Sequence, residues 1–512
     1  MIASTPTSDG PGDIEALARG GRTNFFGFLL RLAARLPFLF VAGRMYGPEA
    51  LGRFAYATII VEFAAQLATM GLKRGLAQQL ALTRRPHVHV VWDGLLVGWL
   101  TAVVAVAVLM LVPELMFPNS AVNPGDYLLP LTIFGWVGSD IALAAMAYRG
   151  DVAATVKARS IVEPWTISLA AFGLAFYSLR DGLIIAYALS MLAALVASLW
   201  PLFRSYGWPR GWRPEPFRLG RTALKNLPLA GADAIEWGSR RLDIAMLGLF
   251  FSPAIVGIYY VAQQVASLPQ KLKTSFDPIL GPVITQNLAE DNRRAVARQV
   301  RQVGFWIIAA QVGIALALSI PGEAVMGLVG PSFVGGTGAL AVLLAAEAIA
   351  ATAGVSEAAL IYVAPWRNLA ISAAMIAAQV ALSVVLVWFL RGLVGPLAEA
   401  GWIEPRPDAR NDPMTAAGPA VALMLALGAA SVAKAWLLRR LLGARVNGWR
   451  WQILPAALIA ALAGWIVTRL PQRFEWLELA VGVPLILGVY GAFVWFKGFN
   501  RDDRALFRFK PA

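Results

Sequence analysis

Apolar runs of about 18 to 25 residues follow one another from Thr23 to Phe496, and each is long enough to cross a hydrocarbon core of roughly 30 Å as a helix. Backbone polar groups in hydrocarbon must pair within their own segment or in a closed barrel, and no alternating strand pattern competes here, so the runs are read as helices. The expected fold class is an all-α integral membrane protein with about 14 transmembrane helices. Composition agrees, with 58% hydrophobic and only 14% charged residues.

The formal net charge is +14, but the Lys and Arg residues sit in short clusters between apolar runs, where they set orientation, so a nucleic-acid partner is discarded. With the N-terminus on the cytoplasmic side, the loops of that side hold about 30 of the 44 basic residues. They include Lys73, Arg74, Arg84 and Arg85, then Arg149, Lys157 and Arg159, the run Arg204 to Lys225, Lys434, and a tail from Lys497 to Lys510. The opposite loops Pro113–Asp126 and Pro321–Thr337 carry none. Both termini are therefore expected inside. The chain has no cysteine, and His87 and His89 make no metal constellation, so neither metal nor cofactor is expected. The first 20 residues lack the apolar core of a signal peptide. No loop is long enough for a soluble catalytic domain; the longest, Arg391–Pro413, holds Glu399, Glu404, Asp408 and Asp412. An enzyme is not expected.

One short pattern occurs twice. Gly43-Arg-Met-Tyr-Gly-Pro48-Glu-Ala-Leu-Gly52-Arg-Phe is echoed 205 residues later by Gly248-Leu-Phe-Phe-Ser-Pro253-Ala-Ile-Val-Gly257-Ile-Tyr. Both read as helical hairpins that turn at the proline and restart a helix after the second glycine. An even number of helices between the copies returns the chain to the same face, which predicts two parallel six-helix lobes. The expected organisation is a tail (1–22), an N-lobe (23–203), a basic linker (204–221), a C-lobe (222–440), and two further helices with a basic tail (441–512).

Charges inside the apolar runs cost roughly 2.5–3.5 kcal/mol each at mid-membrane, so they mark interior or watery positions. Span one holds Arg31 and Arg35, and the repeat offset carries Arg35 onto Arg240. Span seven (222–251) adds Asp233, Glu236, Arg241 and Asp243, and span eight (254–284) adds Lys271, Lys273 and Asp277. Arg31, Arg35, Arg240, Arg241, Lys271 and Lys273 are read as a cationic cavity that receives an anionic group, since a guanidinium offers paired donors to phosphate oxygens. Asp233, Glu236, Asp243 and Asp277 are candidates for ion coupling. The bland alternative is structural neutralisation, pairing Glu236 or Asp243 with Arg240 and Lys273 with Asp277. Glu62, Asp140, Glu163, Glu347 and Glu357 are further acids inside spans, open to pairing with arginines, to cation coupling or to a neutral structural role.

At GRMYGPEALGRFAYATIIVEFAAQLATMGL and LDIAMLGLFFSPAIVGIYYVAQQV the chain resembles the polysaccharide-transporter branch, O-antigen flippases included, of the multidrug/oligosaccharidyl-lipid/polysaccharide exporter superfamily. The resemblance implies two six-helix lobes alternating between inward-open and outward-open states. It implies a flippase moving a polyprenyl-diphosphate-linked oligosaccharide from the cytoplasmic to the outer leaflet of a bacterial inner membrane. Polysaccharide polymerase and glycosyltransferases are the implied partners. A cation-coupled multidrug exporter, a lipid II flippase and, less so, a membrane-embedded glycosyltransferase remain alternatives.

Overall fold

A computed structural model describes residues 36–238, 241–399, 413–469, 478–500 and 503. All regular elements among them are helical, and nine helical runs are long and apolar enough to cross a membrane, with a tenth, shorter apolar helix at Ile453–Val467. The all-α membrane class expected from the apolar runs is thus the class of the structure.

The chain divides into two compact units, one ending at Tyr260 and one beginning at Val261. The first opens with a helical stretch, α1 (36–46), that ends in a wide π turn at Ala42–Tyr46. It continues through α2 (Gly47–Ala68), α3 (Leu72–Leu82), α4 (His87–Leu111) and α5 (Leu128–Tyr148). Then come α6 (Val152–Thr155) and α7 (Glu163–Leu174) joined by a π turn, α8 (Gly182–Tyr206), α9 (Pro216–Gly238) and α10 (Leu242–Phe250). Helix α5 packs on α4 and α8, while α2 packs on α5, α9 and α4. The outer side of α4 leaves Leu100, Val103, Val104 and Leu111 exposed, as a surface facing hydrocarbon requires.

Two elements depart from the sequence-based spans. Span five begins earlier than expected, at Val152, which moves Arg159 from a loop into the helical run, where Asp140 of α5 and Glu163 of α7 hold it. Span seven is not continuous: α9 ends at Gly238 and α10 begins at Leu242. Gly238 has a low helical preference, and Arg241 takes φ −133° and ψ 0° just ahead of α10.

Helix α11 (Pro253–Ala289) leads the chain into the second unit. There α12 (Arg293–Ser319), α14 (Thr337–Val363), α15 (Pro365–Glu399) and α17 (Gly418–Leu442) form the bundle, with short α13 (Gly322–Val329) and α16 (Pro413–Ala416) between them. Helix α17 packs on α14 and α15, and α12 packs on α14. Lys434, expected in a loop, lies inside α17, 5% exposed, with Nζ 2.8 Å from Glu357 Oε1 and 3.0 Å from Ser372 Oγ. Those partners, from α14 and α15, replace the water that the Lys434 amine loses on burial.

The last two helices, α18 (Ile453–Val467) and α19 (Val483–Phe493), pack on each other and on α12. Their attachment is polar at one end. Asp503, fully buried, accepts from Arg450 Nη1 at 2.6 Å, from the Asn500 backbone at 2.7 Å, from Trp306 Nε1 at 3.0 Å, and from the Gln302 amide. The Arg450 guanidinium lies 3.6 Å over the Phe305 ring. Removing this carboxylate takes an acceptor from the half-buried Arg450, from Gln302 and from Trp306, a loss of about 3 kcal/mol. Asp503→Ala is therefore expected to lower the thermal unfolding midpoint of the purified protein clearly; an unchanged midpoint would contradict the anchoring role.

Candidate functional site

The two copies of the repeated pattern lie against each other within the first unit. In copy one Gly47 takes φ +79°, a conformation open to glycine, and the helix restarts at Pro48 itself, where the missing N–H costs nothing. Copy two turns after an extended Phe251, and α11 starts at Pro253. The second glycine of each copy therefore does not mark the restart, as the sequence suggested, but sits one turn inside the helix. Its function is contact: a Cβ on Gly52 would fall 1.7 Å from the Pro253 carbonyl oxygen, and one on Gly257 would fall 2.0 Å from that of Pro48. Only hydrogen at both positions lets these backbones touch.

The loop before α5 bridges both copies. Asn119 Nδ2 donates to the carbonyls of Gly248 (2.6 Å) and Phe251 (3.1 Å). Arg53 pairs with Asp126, donates to Ala121 O at 3.1 Å, and lies 4.3 Å over Phe117. Arg53 is 10% exposed, so this cation is a structural one.

Deeper in the unit lies the break between α9 and α10. The nine residues of α10 place Arg241 about 14 Å along the helix from Phe250. Arg241 Nη1 is 2.5 Å from Glu62 Oε2 of α2, and the Tyr187 hydroxyl of α8 donates to the other oxygen of Glu62 at 3.4 Å. The guanidinium lies 5.2 Å from the Trp237 ring, which in turn contacts Phe63 at 5.7 Å. Glu62 is nearly buried, whereas the Arg241 side chain is 36% exposed. A partly open cation beside an aromatic pair can accept an anionic group and stack on an apolar or sugar face.

Asp233 and Asp243, both candidates for ion coupling, have hydrogen-bonding or ion-pair partners of their own. Asp233 is 3.0 Å from Arg74 Nε, and Asp243, fully buried, accepts from the Tyr259 hydroxyl at 2.8 Å. Arg31, Arg35 and Arg240 lie outside the described residues, and so do the side chains of Glu236, Lys271, Lys273 and Asp277. Asp140 and Glu163 find cations in the structure. Arg159 pairs with Asp140 and, at 2.9 Å, with Glu163; Lys73 stands 3.5 Å from Asp140, an ion-pair distance. The partners are 19 and 67 residues distant for Asp140, a separation no local spacing rule reaches. Arg159 and Lys73 were placed in loops by hydropathy alone. The i,i+4 spacing of Arg159 and Glu163 is the sequence signal that could have placed Arg159 in the span.

This helical architecture is shared with solved membrane transporters. The structure is similar to lipid II flippase MurJ in an inward closed conformation, with TM-score 0.69, 10% identity, and coverage of 93% of this chain and 98% of that one. It is also similar to an inward-facing multidrug resistance MATE family transporter of the MOP superfamily, with TM-score 0.62, 13% identity, and coverage of 81% and 94%. A MOP superfamily transporter from Pyrococcus furiosus, described as having a binding pocket of reverse polarity, matches with TM-score 0.55, 12% identity, and coverage of 86% and 99%. The chain belongs to the polysaccharide biosynthesis protein family, whose model matches residues 41–320, more than half of the 512 residues. No curated protein matches it in sequence.

The glycine contact gives a direct test. Gly52→Ala and Gly257→Ala each force backbone apart and are expected to destabilise by about 1–3 kcal/mol. Gly491→Ala, where a Cβ meets nothing within 4 Å, should not. Thermal unfolding of the three variants decides, and equal midpoints would refute the close-contact role.

Proposed function

We propose that this protein is a flippase for a polyprenyl-diphosphate-linked oligosaccharide, carrying it from the cytoplasmic to the outer leaflet of a bacterial inner membrane, with both termini cytoplasmic, for surface polysaccharide assembly. The observation that carries the reading is Arg241: a guanidinium 36% exposed, just ahead of α10, paired with Glu62. A cation inside a membrane protein is held by a partner or a watery cavity, and such positions mark binding sites. A diphosphate offers oxygens matched to the guanidinium fork, and the prenyl tail of such a cargo can stay in lipid.

In this reading Arg31, Arg35 and Arg240 join Arg241 around the diphosphate, with Lys271 and Lys273 as further cations. Asp233, Glu236, Asp243 and Asp277 are kept as candidates for coupling to an ion. Residues 23–203 and 222–440 are the two repeats whose rocking exposes the site to each side in turn. Drive comes from a coupled cation or from the membrane potential, the latter worth roughly 2.3 kcal/mol per charge per 100 mV. The family description supports a role in polysaccharide biosynthesis, and glycosyltransferases and a polymerase are the partners such a cargo implies.

Proteoliposomes separate this function from its rivals. Wild-type protein is expected to move a labelled polyprenyl-diphosphate trisaccharide between leaflets, with no accumulation of a cationic dye and no lengthening of the sugar. Arg241→Ala should reduce the rate at least tenfold, the equivalent of about 1.4 kcal/mol or more, with unchanged protein incorporation. Dye accumulation without lipid movement, or full activity of Arg241→Ala, would overturn the proposal.

A further inference from the structure

We infer that Glu62 is a built-in counter-ion which Arg241 exchanges for the anionic group of its cargo, so that Glu62 sets the charge the site accepts; this rests on the diphosphate reading above. The pair differs from the ion pairs that hold the unit together. Arg159 engages two carboxylates through two nitrogens and is 17% exposed, and Arg53 is 10% exposed under a loop that wraps it. Arg241 meets Glu62 through Nη1 alone, and more than a third of its side chain stays open. A single-point contact leaves the planar fork unfilled, and a diphosphate can offer the two-point match that Glu62 does not make.

The site also provides for the carboxylate after the exchange. Glu62 retains the Tyr187 hydroxyl on its second oxygen, and Tyr187 is steadied by an edge contact with Phe54 at 5.8 Å between centroids. The carboxylate therefore has two consequences for selection. A neutral cargo cannot replace it as the partner of Arg241, and an anionic cargo must bind strongly enough to displace it. When the anion leaves, the same carboxylate takes the guanidinium back, so the empty site does not hold an uncompensated cation in the membrane.

Farnesyl diphosphate, titrated by calorimetry onto the purified full-length chain in nanodiscs, tests the exchange, with farnesol as the uncharged control. Wild type is expected to bind the diphosphate and not the alcohol. Glu62→Gln, which keeps shape and removes the competing charge, should bind about tenfold tighter, as expected for a difference of one charged contact. Arg241→Gln and the double variant should both bind weakly, because the exchange takes place at Arg241. Tyr187→Phe should bind about threefold weaker, the scale of one hydrogen bond, and decides the question if Glu62→Gln does not fold. Wild-type binding with Glu62→Gln equal or weaker, or with Tyr187→Phe unchanged, overturns the counter-ion role alone. Absence of diphosphate binding by wild type and Glu62→Gln alike overturns the diphosphate reading and this role with it.

Discussion

A guanidinium and a carboxylate facing each other between α10 and α2 are the constraint around which the first unit is arranged. Neither group can be carried there alone, so α2 and the start of α10 must meet at one depth, and Glu62 and Arg241 fix that register. The break between α9 and α10 follows from the same need. A continuous helix over 216–250 would leave its cations on the helix surface, whereas the interruption lets Arg241 take a non-helical conformation and reach α2. The aromatic pair Trp237 and Phe63 covers one flank. What stays open is one edge of a cation.

The repeated hairpins depend on a different economy of atoms. Gly52 and Gly257 let two backbones approach within contact distance, which small residues make possible where lipid supplies no hydrophobic drive to associate helices. Asn119 then satisfies two carbonyls at the end of α10 that the turn leaves without helical partners. A transporter that changes state needs contacts that are close yet dispersed over weak forces, and a glycine interface with two hydrogen bonds is of that kind. The ion pairs of Arg159 and Lys434 are of the opposite kind, buried and multiply held, and they give each unit its rigid framework.

The membrane class, the helical content and the paired hairpins were legible because hydropathy and turn residues act over neighbouring positions. Arg241 was legible as a misplaced charge. Its partner was not singled out: Glu62 stood among several isolated acids, 179 residues away from Arg241, and only the packing of α2 on the start of α10 selects it. The structural roles of Arg159 and Lys434 were missed for a related reason. Hydropathy ends a span at the first cation, whereas the folded bundle admits a cation wherever acids from other helices await it. The two glycines misled in the other direction, since a glycine after a turn reads as the end of a break when it is the point of contact.

The central claim is that the intramembrane cation is retained because it recognises a diphosphate. It is tested most directly by following two lipids in the same proteoliposomes, with identical prenyl chain and sugar, one joined through a diphosphate and the other through an uncharged linkage. The account requires leaflet exchange of the diphosphate lipid alone. Equal exchange of the uncharged lipid would show that charge plays no part in recognition and would contradict it.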